Sequence, residues 1–239
     1  MTSSPDAAIE TLKRSTVRPV YAFDLDGTIL DVNSFPLWVR YLLKGGPATA
    51  PLGARASVAA RTAMALIERK AFKRSHQLLK LRLQRLWTAL PQAQAAEDFT
   101  ARLMPHVRRE FGPALAKVAS GEIDALLATA AAEEYAEELA ARLGFRHYVA
   151  TPRGRADVDE NVGPAKRASV LAFVEKAGWN GRPLVVFTDH LEDAPLVESA
   201  DILVWCGTDA DGRKAAGTLP AKAFIPLSKL ELRHADVWG

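Results

Sequence analysis

The stretch Pro19-Val-Tyr-Ala-Phe-Asp-Leu-Asp-Gly-Thr28 decides the fold of this 239-residue chain. Its first five residues form a short apolar run of β-forming residues, which is typical of a buried strand. Asp24 and Asp26 follow the run, and Gly27 permits the turn that takes the chain away. Because the two carboxyl groups stand at i and i+2, they lie on one side of an extended chain. The pattern therefore predicts a strand that opens into an acidic loop.

The two carboxyl groups have a chemical meaning if they lie close together. Two like charges at short range raise one pKa. One ionised and one protonated carboxyl group would then supply a nucleophile, Asp24 or Asp26, beside a general acid. Thr28 could donate to a phosphate oxygen. An acidic turn at a strand end, with no catalytic role, is the alternative for these residues alone.

Strands and helices alternate in the second half of the chain. Strands that are separated by helices pair in parallel through right-handed crossovers. We therefore predict a doubly wound, Rossmann-like α/β core with a parallel sheet. After the first strand, the predicted strands cover residues 123–128, 147–150, 183–187 and 202–205, and the predicted helices cover residues 113–119, 130–143, 164–177 and 194–199.

An all-helical segment separates the first two predicted strands. Its helices are predicted over residues 35–43, 54–69, 72–87 and 93–103, with Gly and Pro residues between the first two and Pro91 before the last. Residues 33–109 carry 14 Lys and Arg against 3 Asp and Glu, although the whole chain has a net charge of only +3. We predict an α/β core of residues 1–32 and 108–239 and an inserted helical unit of residues 33–107. The basic side chains could simply cover solvated helix faces.

The composition excludes several classes of protein. With 49% hydrophobic and 25% charged residues, the chain is neither disordered nor collagen-like. It lacks the roughly 20 consecutive apolar residues of a membrane-spanning helix. Met1–Arg18 is polar, and we expect no secretory signal there. Cys206 has no second cysteine to pair with, so we expect a buried thiol and a cytoplasmic protein.

The candidate functional residues stand where this fold places its ligands. In a doubly wound sheet, ligands bind beyond the carboxyl ends of the strands. Lys166 is in the first turn of a predicted helix, where its charge opposes the helix dipole, and a bound anion would reverse that cost. A solvent-facing Lys166 is the alternative, and helix capping is the alternative for Thr129 and Asp193. The residues that follow predicted strands are Asp24, Asp26, Thr129, Asp189 and Asp193.

Phe23-Asp-Leu-Asp-Gly-Thr-Ile-Leu30 resembles the first motif of the haloacid dehalogenase-like (HAD) superfamily, most of whose members are phosphatases. The later motifs of that superfamily appear in the proper order at Thr129, at Lys166 in Gly-Pro-Ala-Lys, and at Asp189 to Asp193. The helical unit is similar to the family's cap in its position and helical character. This arrangement resembles the phosphoserine phosphatase-like branch.

The resemblance implies a role for each matching residue. Asp24 would attack phosphorus and form an aspartyl-phosphate, and Asp26 would protonate the leaving oxygen and later deprotonate water. Thr129 and Lys166 would hold phosphate oxygens, together with Thr28. Mg²⁺ would be bound by Asp24, Asp189 and the backbone carbonyl of Asp26, with Asp193 in its outer shell. Further candidates for substrate or cap contacts are Asn33, Ser34, Phe35 and His190.

We therefore expect a Mg²⁺-dependent phosphatase of a small phosphomonoester. The chain has no glutamate shortly after Asp31, where phosphoserine-recognising members carry one, and this argues against phosphoserine itself. His190 stands where small residues are more common, and a solvated loop histidine is its alternative role. A phosphotransferase or mutase with the same intermediate is another possibility for the enzyme. The basic helical unit could instead bind nucleic acid or an anionic surface, although we expect neither partner, and no oligomeric state is predicted.

Overall fold

A parallel β-sheet lies at the centre of the computed structural model, which describes residue 10 and residues 17–73, 75–154 and 159–229. Most of the predicted lead-in Met1–Arg18 lies outside these residues. The six strands found among them pair in the order β3-β2-β1-β4-β5-β6. They are β1 (Val20–Phe23), β2 (Asp124–Ala132), β3 (Tyr148–Thr151), β4 (Leu184–Thr188), β5 (Ile202–Trp205) and β6 (Phe224–Pro226).

Five of the described helices lie between β1 and β2, and the first four of them form the cap region, called the cap below. They are α1 (Ser34–Leu43), α2 (Leu52–Phe72), α3 (His76–Trp87) and α4 (Gln92–Leu103). The other helices alternate with the later strands: α5 (Gly112–Ser120), α6 (Glu133–Arg142), α7 (Gly163–Lys176), α8 (Ala194–Val197) and α9 (Asp209–Thr218). The predicted fold class, a parallel α/β core with a helical cap, is thereby confirmed.

The central strand β1 is buried on both faces, as a near-continuous apolar run requires. Successive side chains of a strand point to opposite faces of the sheet. Tyr21 and Phe23 accordingly join a buried cluster that includes apolar residues of the cap, whereas Val20 and Ala22 join a second cluster on the other face. The apolar contacts of the cap are therefore continuous with those of one face of the sheet.

The two largest boundary differences from the sequence-based prediction lie at the start of α3 and at the end of β2. The predicted helix 72–87 begins at His76, because Ser75 caps it by accepting a hydrogen bond from Leu78 N–H. β2 continues to Ala132, whereas the prediction began a helix at residue 130. Alanine-rich sequence favours helix, but pairing of Ala132 with Thr151 of β3 keeps this segment in the sheet.

Two elements near the end of the described chain escaped prediction. β6 has only three residues and ends in proline, and α9 contains two glycines, so neither gives a strong local signal. The thiol of Cys206 is buried at the end of β5, as predicted. No helix that the structure describes has the length and apolar composition needed to cross a membrane.

Candidate active site

Strand register brings the predicted site residues to one edge of the sheet. Phe23 of β1 pairs with Leu127 of β2 on one side and with Phe187 of β4 on the other. Asp24 N–H then donates to the carbonyl of Phe187 at 2.9 Å. Because parallel strands end at the same edge, the residues after Phe23, Leu127 and Phe187 become neighbours there. This is how residues more than 150 positions apart meet.

Lys166 joins two of the carboxylates. Its Nζ donates to Asp24 Oδ1 at 2.7 Å and to Asp193 Oδ2 at 2.8 Å. Thr188 Oγ1 also donates to Asp193 Oδ2, at 2.6 Å. Lys166 is only 3% exposed and Asp193 makes no side-chain cap, so the solvent-facing and capping alternatives are wrong. The side chain of Lys166 is therefore held between the two carboxylates.

Burial determines the electrostatics of this group. It raises the pKa of Asp24 to about 7, with Lys166 opposing the shift and Asp193 and Asp26 adding to it. Burial alone would lower the pKa of Lys166, but the charges of Asp24 and Asp193 outweigh it and raise that pKa. Lys166 thus stays a cation beside two buried acids.

Asp26 is held by the start of α1. Ser34 N–H donates to Asp26 Oδ1 at 2.9 Å, and Ser34 Oγ donates to Asp26 Oδ2 at 2.9 Å. Tyr135 OH lies 2.9 Å from Ser34 Oγ and extends the network into α6. Burial raises the pKa of Asp26 to about 6, while the two bonds from Ser34 oppose the shift. The carboxyl group of Asp26 is therefore fixed, partly desolvated and separate from the Lys166 network.

Thr129 lies within β2 and does not cap a helix, because α6 begins only at Glu133 with Ala132 before it. Its Oγ1 accepts a hydrogen bond from Ala131 N–H at 3.0 Å. Its carbonyl accepts one from Asn161 Nδ2 at 2.9 Å. The backbone on both sides of Thr129 is thus fixed while its side chain lines the cavity described below.

Asp189 packs directly against the loop that carries the first two aspartates. Gly27 has a φ of +76°, and a Cβ there would lie 2.0 Å from Asp189 Oδ2. Thr28 Oγ1 donates to Asp189 Oδ1 at 3.2 Å. Burial raises the pKa of Asp189, and the bond from Thr28 opposes the shift. Glycine at position 27 is therefore what lets the Asp189 carboxylate approach this loop.

These residues fit a hard divalent cation. Among the described residues, no three His, Cys, Asp or Glu side chains group closely enough to hold a metal by themselves. Two carboxylates, Asp24 and Asp189, with the Asp26 carbonyl would leave positions for water and a phosphate oxygen, which is the coordination that Mg²⁺ prefers. The raised pKa values of the three aspartates reflect buried negative charge that a cation would offset.

A cavity of about 470 Å³ opens over this edge of the sheet. Thr28 and Ser34 are not in its wall, because the Thr28 hydroxyl is directed to Asp189 and Ser34 to Asp26. The predicted residues that line the cavity are Asp24, Asp26, Asn33, Phe35, Thr129, Lys166, Asp189, His190 and Asp193.

Sequence reasoning missed the cap side of the cavity, where Lys80 and His76 of α3 meet Glu160 of the core. Lys80 Nζ lies 3.2 Å from Glu160 Oε2 and 5.8 Å from the centre of the Phe35 ring. His76 Nδ1 lies 3.3 Å from Glu160 Oε1. Among the described Lys and Arg residues of the cap, only Lys80 lines the cavity. Most of the basic side chains of the helical unit therefore do not face the cavity.

A signal for Lys80 was present in the sequence. Lys80 and Gln84 stand next to Leu79 and Leu83, on the apolar face of α3 that is buried. Polar residues on an apolar face are candidates for a specific contact. Glu160 and Asn161 gave no comparable signal, because they belong to a connection without a recognisable pattern.

The comparisons with known proteins agree with this geometry. A model of the haloacid dehalogenase-like hydrolase family matches residues 21–198, well over half of the chain. The chain belongs to this family. The match runs from the first strand through Asp24, Lys166 and Asp193. It therefore covers both the cap and most of the core of this HAD hydrolase.

Solved structures show the same fold at low identity. A protein of unknown function from Bordetella pertussis Tohama I has a TM-score of 0.68 at 19% identity, with 88% of this chain and 99% of that chain covered. A probable phosphoserine phosphatase from Vibrio cholerae has a TM-score of 0.55 at 11% identity, with 87% and 60% covered. A phospho-aspartyl intermediate analogue of phosphoserine phosphatase gives 0.52 at 15%, with 88% and 94% covered. The search of curated proteins gives no match.

Proposed function

We propose that this HAD hydrolase is a Mg²⁺-dependent phosphatase that hydrolyses a small phosphomonoester through an aspartyl-phosphate on Asp24. The observation that carries the proposal is the bridge from Lys166 to Asp24 and Asp193 at the floor of the cavity. It leaves Asp24 Oδ2 available, because Lys166 binds Oδ1. A fold shared with a phosphoserine phosphatase that was solved as an analogue of its phospho-aspartyl intermediate supports the same chemistry.

In the first step, an Asp24 carboxylate oxygen attacks phosphorus and the bond from phosphorus to the ester oxygen breaks. The leaving oxygen takes a proton from Asp26, so the alcohol departs neutral. Asp26 suits this task because the N–H and hydroxyl of Ser34 fix the orientation of its carboxyl group, whereas the carboxylate of Asp24 is bonded to the cation Lys166. Asp24 suits attack because Lys166 holds it in place.

In the second step, water attacks the phosphorus of the aspartyl-phosphate. Asp26, now ionised, takes the proton of that water, and the bond between phosphorus and the Asp24 oxygen breaks. Inorganic phosphate leaves and both aspartates return to their first state. The same carboxyl group thus gives and regains one proton in each cycle.

Positive charge and N–H or O–H donors must face the phosphoryl group during both steps. We assign Lys166 and the Thr129 hydroxyl to the phosphate oxygens, since both line the cavity beside Asp24. Thr28 is assigned instead to orienting Asp189, to which its hydroxyl donates. Mg²⁺, when held by Asp24, Asp189 and the Asp26 carbonyl, would supply charge neutralisation for the phosphoryl oxygens.

The cavity favours a small phosphorylated metabolite as substrate. About 470 Å³ is within the usual range for small-molecule sites. The cap residues Phe35, His76 and Lys80 lie in its wall together with Asp24 and Asp26, so the leaving group would contact the cap. Its identity depends on those contacts.

Phosphate release from p-nitrophenyl phosphate and from a panel of phosphorylated metabolites tests the proposal. Wild-type protein should turn over at least one ester with Mg²⁺ and stop when EDTA is added. Asp24→Asn should reduce turnover by about a thousandfold or more while the protein stays folded. Asp98→Asn, a half-buried aspartate paired with Arg102 on α4, is the matched control and should keep full activity. An Asp24→Asn protein that turns over normally would reject the proposal.

A further inference from the structure

A peptide group beside the proposed phosphate site is held from both the core and the cap. The carbonyl oxygen of Ala130 accepts a hydrogen bond from Thr151 Oγ1 at 2.7 Å and another from Lys80 Nζ at 3.0 Å. Thr151 ends β3 of the sheet, whereas Lys80 belongs to helix α3 of the cap. Two donors from different parts of the molecule therefore fix the orientation of the same carbonyl.

The other end of this peptide group meets the hydroxyl of Thr129. Ala131 N–H, which belongs to the Ala130–Ala131 peptide, donates to Thr129 Oγ1 at 3.0 Å. A threonine hydroxyl has one proton and two acceptor positions. Because the hydroxyl accepts from Ala131, its own proton remains to be donated to an acceptor. Thr129 is 1% exposed and lines the cavity, so a ligand bound in the cavity could accept this proton.

Lys80 is well placed to orient this peptide. It is 4% exposed, and Glu160 fixes its ammonium group from the core side at 3.2 Å. His76, one turn earlier on α3, contacts the same carboxylate at 3.3 Å. An ionised donor makes a stronger hydrogen bond than a neutral one. The contact of Lys80 with the Ala130 carbonyl is therefore partly buried and charge-assisted.

We propose that Lys80 is a positioning residue. When the cap is packed on the core, Lys80 holds the Ala130–Ala131 peptide, and this peptide in turn orients the Thr129 hydroxyl. The proposal rests on the proposed function, because it takes Thr129 as a donor to phosphate. If the cap moves away, Lys80 moves with it and the Ala130 carbonyl keeps only its bond from Thr151. Phosphate binding and cap position are then coupled: packing of the cap on the core strengthens phosphate binding, and bound phosphate favours the packed cap.

A double-mutant cycle between Lys80 and Thr129 tests this coupling. Lys80→Met removes the donors and keeps a side chain of similar shape, and Thr129→Val removes the hydroxyl. The affinity for inorganic phosphate is measured by calorimetry with Mg²⁺ present. Lys80→Met should weaken binding about fivefold to tenfold in the wild-type background and less than about twofold in the Thr129→Val background.

Two results of this cycle would overturn the proposal. Equal losses in both backgrounds would mean that Lys80 acts on phosphate without Thr129, as a direct contact would. An unchanged affinity in Lys80→Met would mean that the contact does not matter. Wild-type protein that binds no phosphate would reject this proposal together with the proposed function.

Two further variants complete the test. Lys80→Gln keeps a polar side chain but removes the ammonium group, and it should show the same dependence on Thr129, so it takes the place of Lys80→Met if that variant does not fold. An additive loss in Lys80→Gln would then reject the relay. Lys70→Met changes an exposed lysine of α2 in the same way and should leave phosphate affinity unchanged.

Amide hydrogen exchange separates failure of this proposal from failure of the proposed function. Without any phosphate, Ala131 N–H should exchange faster in Lys80→Met than in wild type, because its hydrogen bond to Thr129 loosens. Unchanged protection would reject the positioning role even in an active phosphatase. If Ala131 N–H exchanges faster in Lys80→Met but the wild-type protein hydrolyses no ester, the proposed function is rejected, whereas the effect of Lys80 on the Ala130–Ala131 peptide is supported.

Discussion

At the scale of single residues, two aspartates two positions apart have different surroundings. Asp24 faces Lys166, whose ammonium group lies 2.7 Å away, whereas Asp26 is held by the N–H and hydroxyl of Ser34. Environment decides which carboxyl group of a pair acts as acid and which as nucleophile. We therefore assign nucleophilic attack to Asp24 and proton transfer to Asp26.

Asp26→Asn should slow the enzyme according to the leaving group. An alkyl phosphate needs its leaving oxygen protonated, so its turnover should fall by about 10²–10⁴-fold. p-Nitrophenolate leaves without a proton, so the first step should survive and the second, which needs the base, should fail. Stopped-flow absorbance should show a burst of p-nitrophenolate close to the enzyme concentration, followed by slow turnover.

The Asp98→Asn control should show neither the burst nor the loss. If Asp26→Asn slowed both esters to the same extent and gave no burst, Asp26 would not be the acid and base of the reaction. The carbonyl of residue 26, which is proposed to bind Mg²⁺, is part of the backbone and is retained in this variant.

At the scale of elements, α3 presents a polar stripe to the core. His76, Lys80 and Gln84 recur every four residues and so share one face of the helix. His76 and Lys80 contact Glu160, and Gln84 Nε2 donates to Glu134 Oε2 and to the carbonyl of Pro152, both at 2.9 Å. Three successive turns of the cap helix are thereby bonded to the core.

Glu160→Gln should destabilise the protein in a pH-dependent way. Burial acts to raise the pKa of Glu160, but His76 and Lys80 outweigh it, so the pKa in the folded state is lowered. An acid with a lowered folded-state pKa stabilises the fold above its unfolded value of about 4.3 and loses that effect as pH falls through the folded value. At pH 7 the variant should melt about 2–4 °C lower, equivalent to about 1 kcal/mol.

Calorimetric melting temperatures between pH 7 and pH 3.5 check this expectation. The difference between wild type and Glu160→Gln should shrink as pH falls below about 4. Glu175→Gln, an exposed glutamate of α7, should melt like wild type throughout this range. A difference that is independent of pH would show that the charge of Glu160 does not stabilise the cap against the core.

The sequence predicted the core elements and the order of the site residues, because strand signals and the residues after them are local. Asp24, Asp26, Asp189 and Asp193 were found in this way, and Lys166 was found by its place in the first turn of a predicted helix. Glu160 gave no local signal, and the position of Lys80 on the apolar face of α3 did not reveal its partner, because their meeting depends on how α3 packs on the core. The structural place of Thr129 was misjudged because alanine favours helix, whereas β3 keeps the segment in the sheet.

At the scale of the whole molecule, the cap and the core share apolar packing. Phe99 of α4 is buried, with its ring centre 5.2 Å from that of Tyr41 in the cap and 4.9 Å from that of Tyr135 in the core. Because this aromatic contact joins both parts, it should contribute to the stability of both. The same packing holds Tyr135 near Ser34 and so supports the Asp26 network.

Phe99→Ala should therefore lower the stability of the whole molecule in one transition. Removing a buried phenylalanine costs about 3–5 kcal/mol. Urea unfolding followed by circular dichroism and by tryptophan fluorescence should give coincident curves, shifted together to lower urea. Phe99→Leu should show a smaller shift. Separate transitions, with only one of them shifted, would mean that cap and core unfold independently.

Trapping of the phosphorylated enzyme tests the central claim most directly. Protein mixed with its ester substrate and Mg²⁺ is quenched with acid within the first turnover, digested and analysed by mass spectrometry. The peptide that contains Asp24 should carry one phosphoryl group, which neutral hydroxylamine removes, as expected of an acyl phosphate. Hydrolysis of the ester with no phosphoryl group on the protein, or with one attached at another residue, would contradict the account.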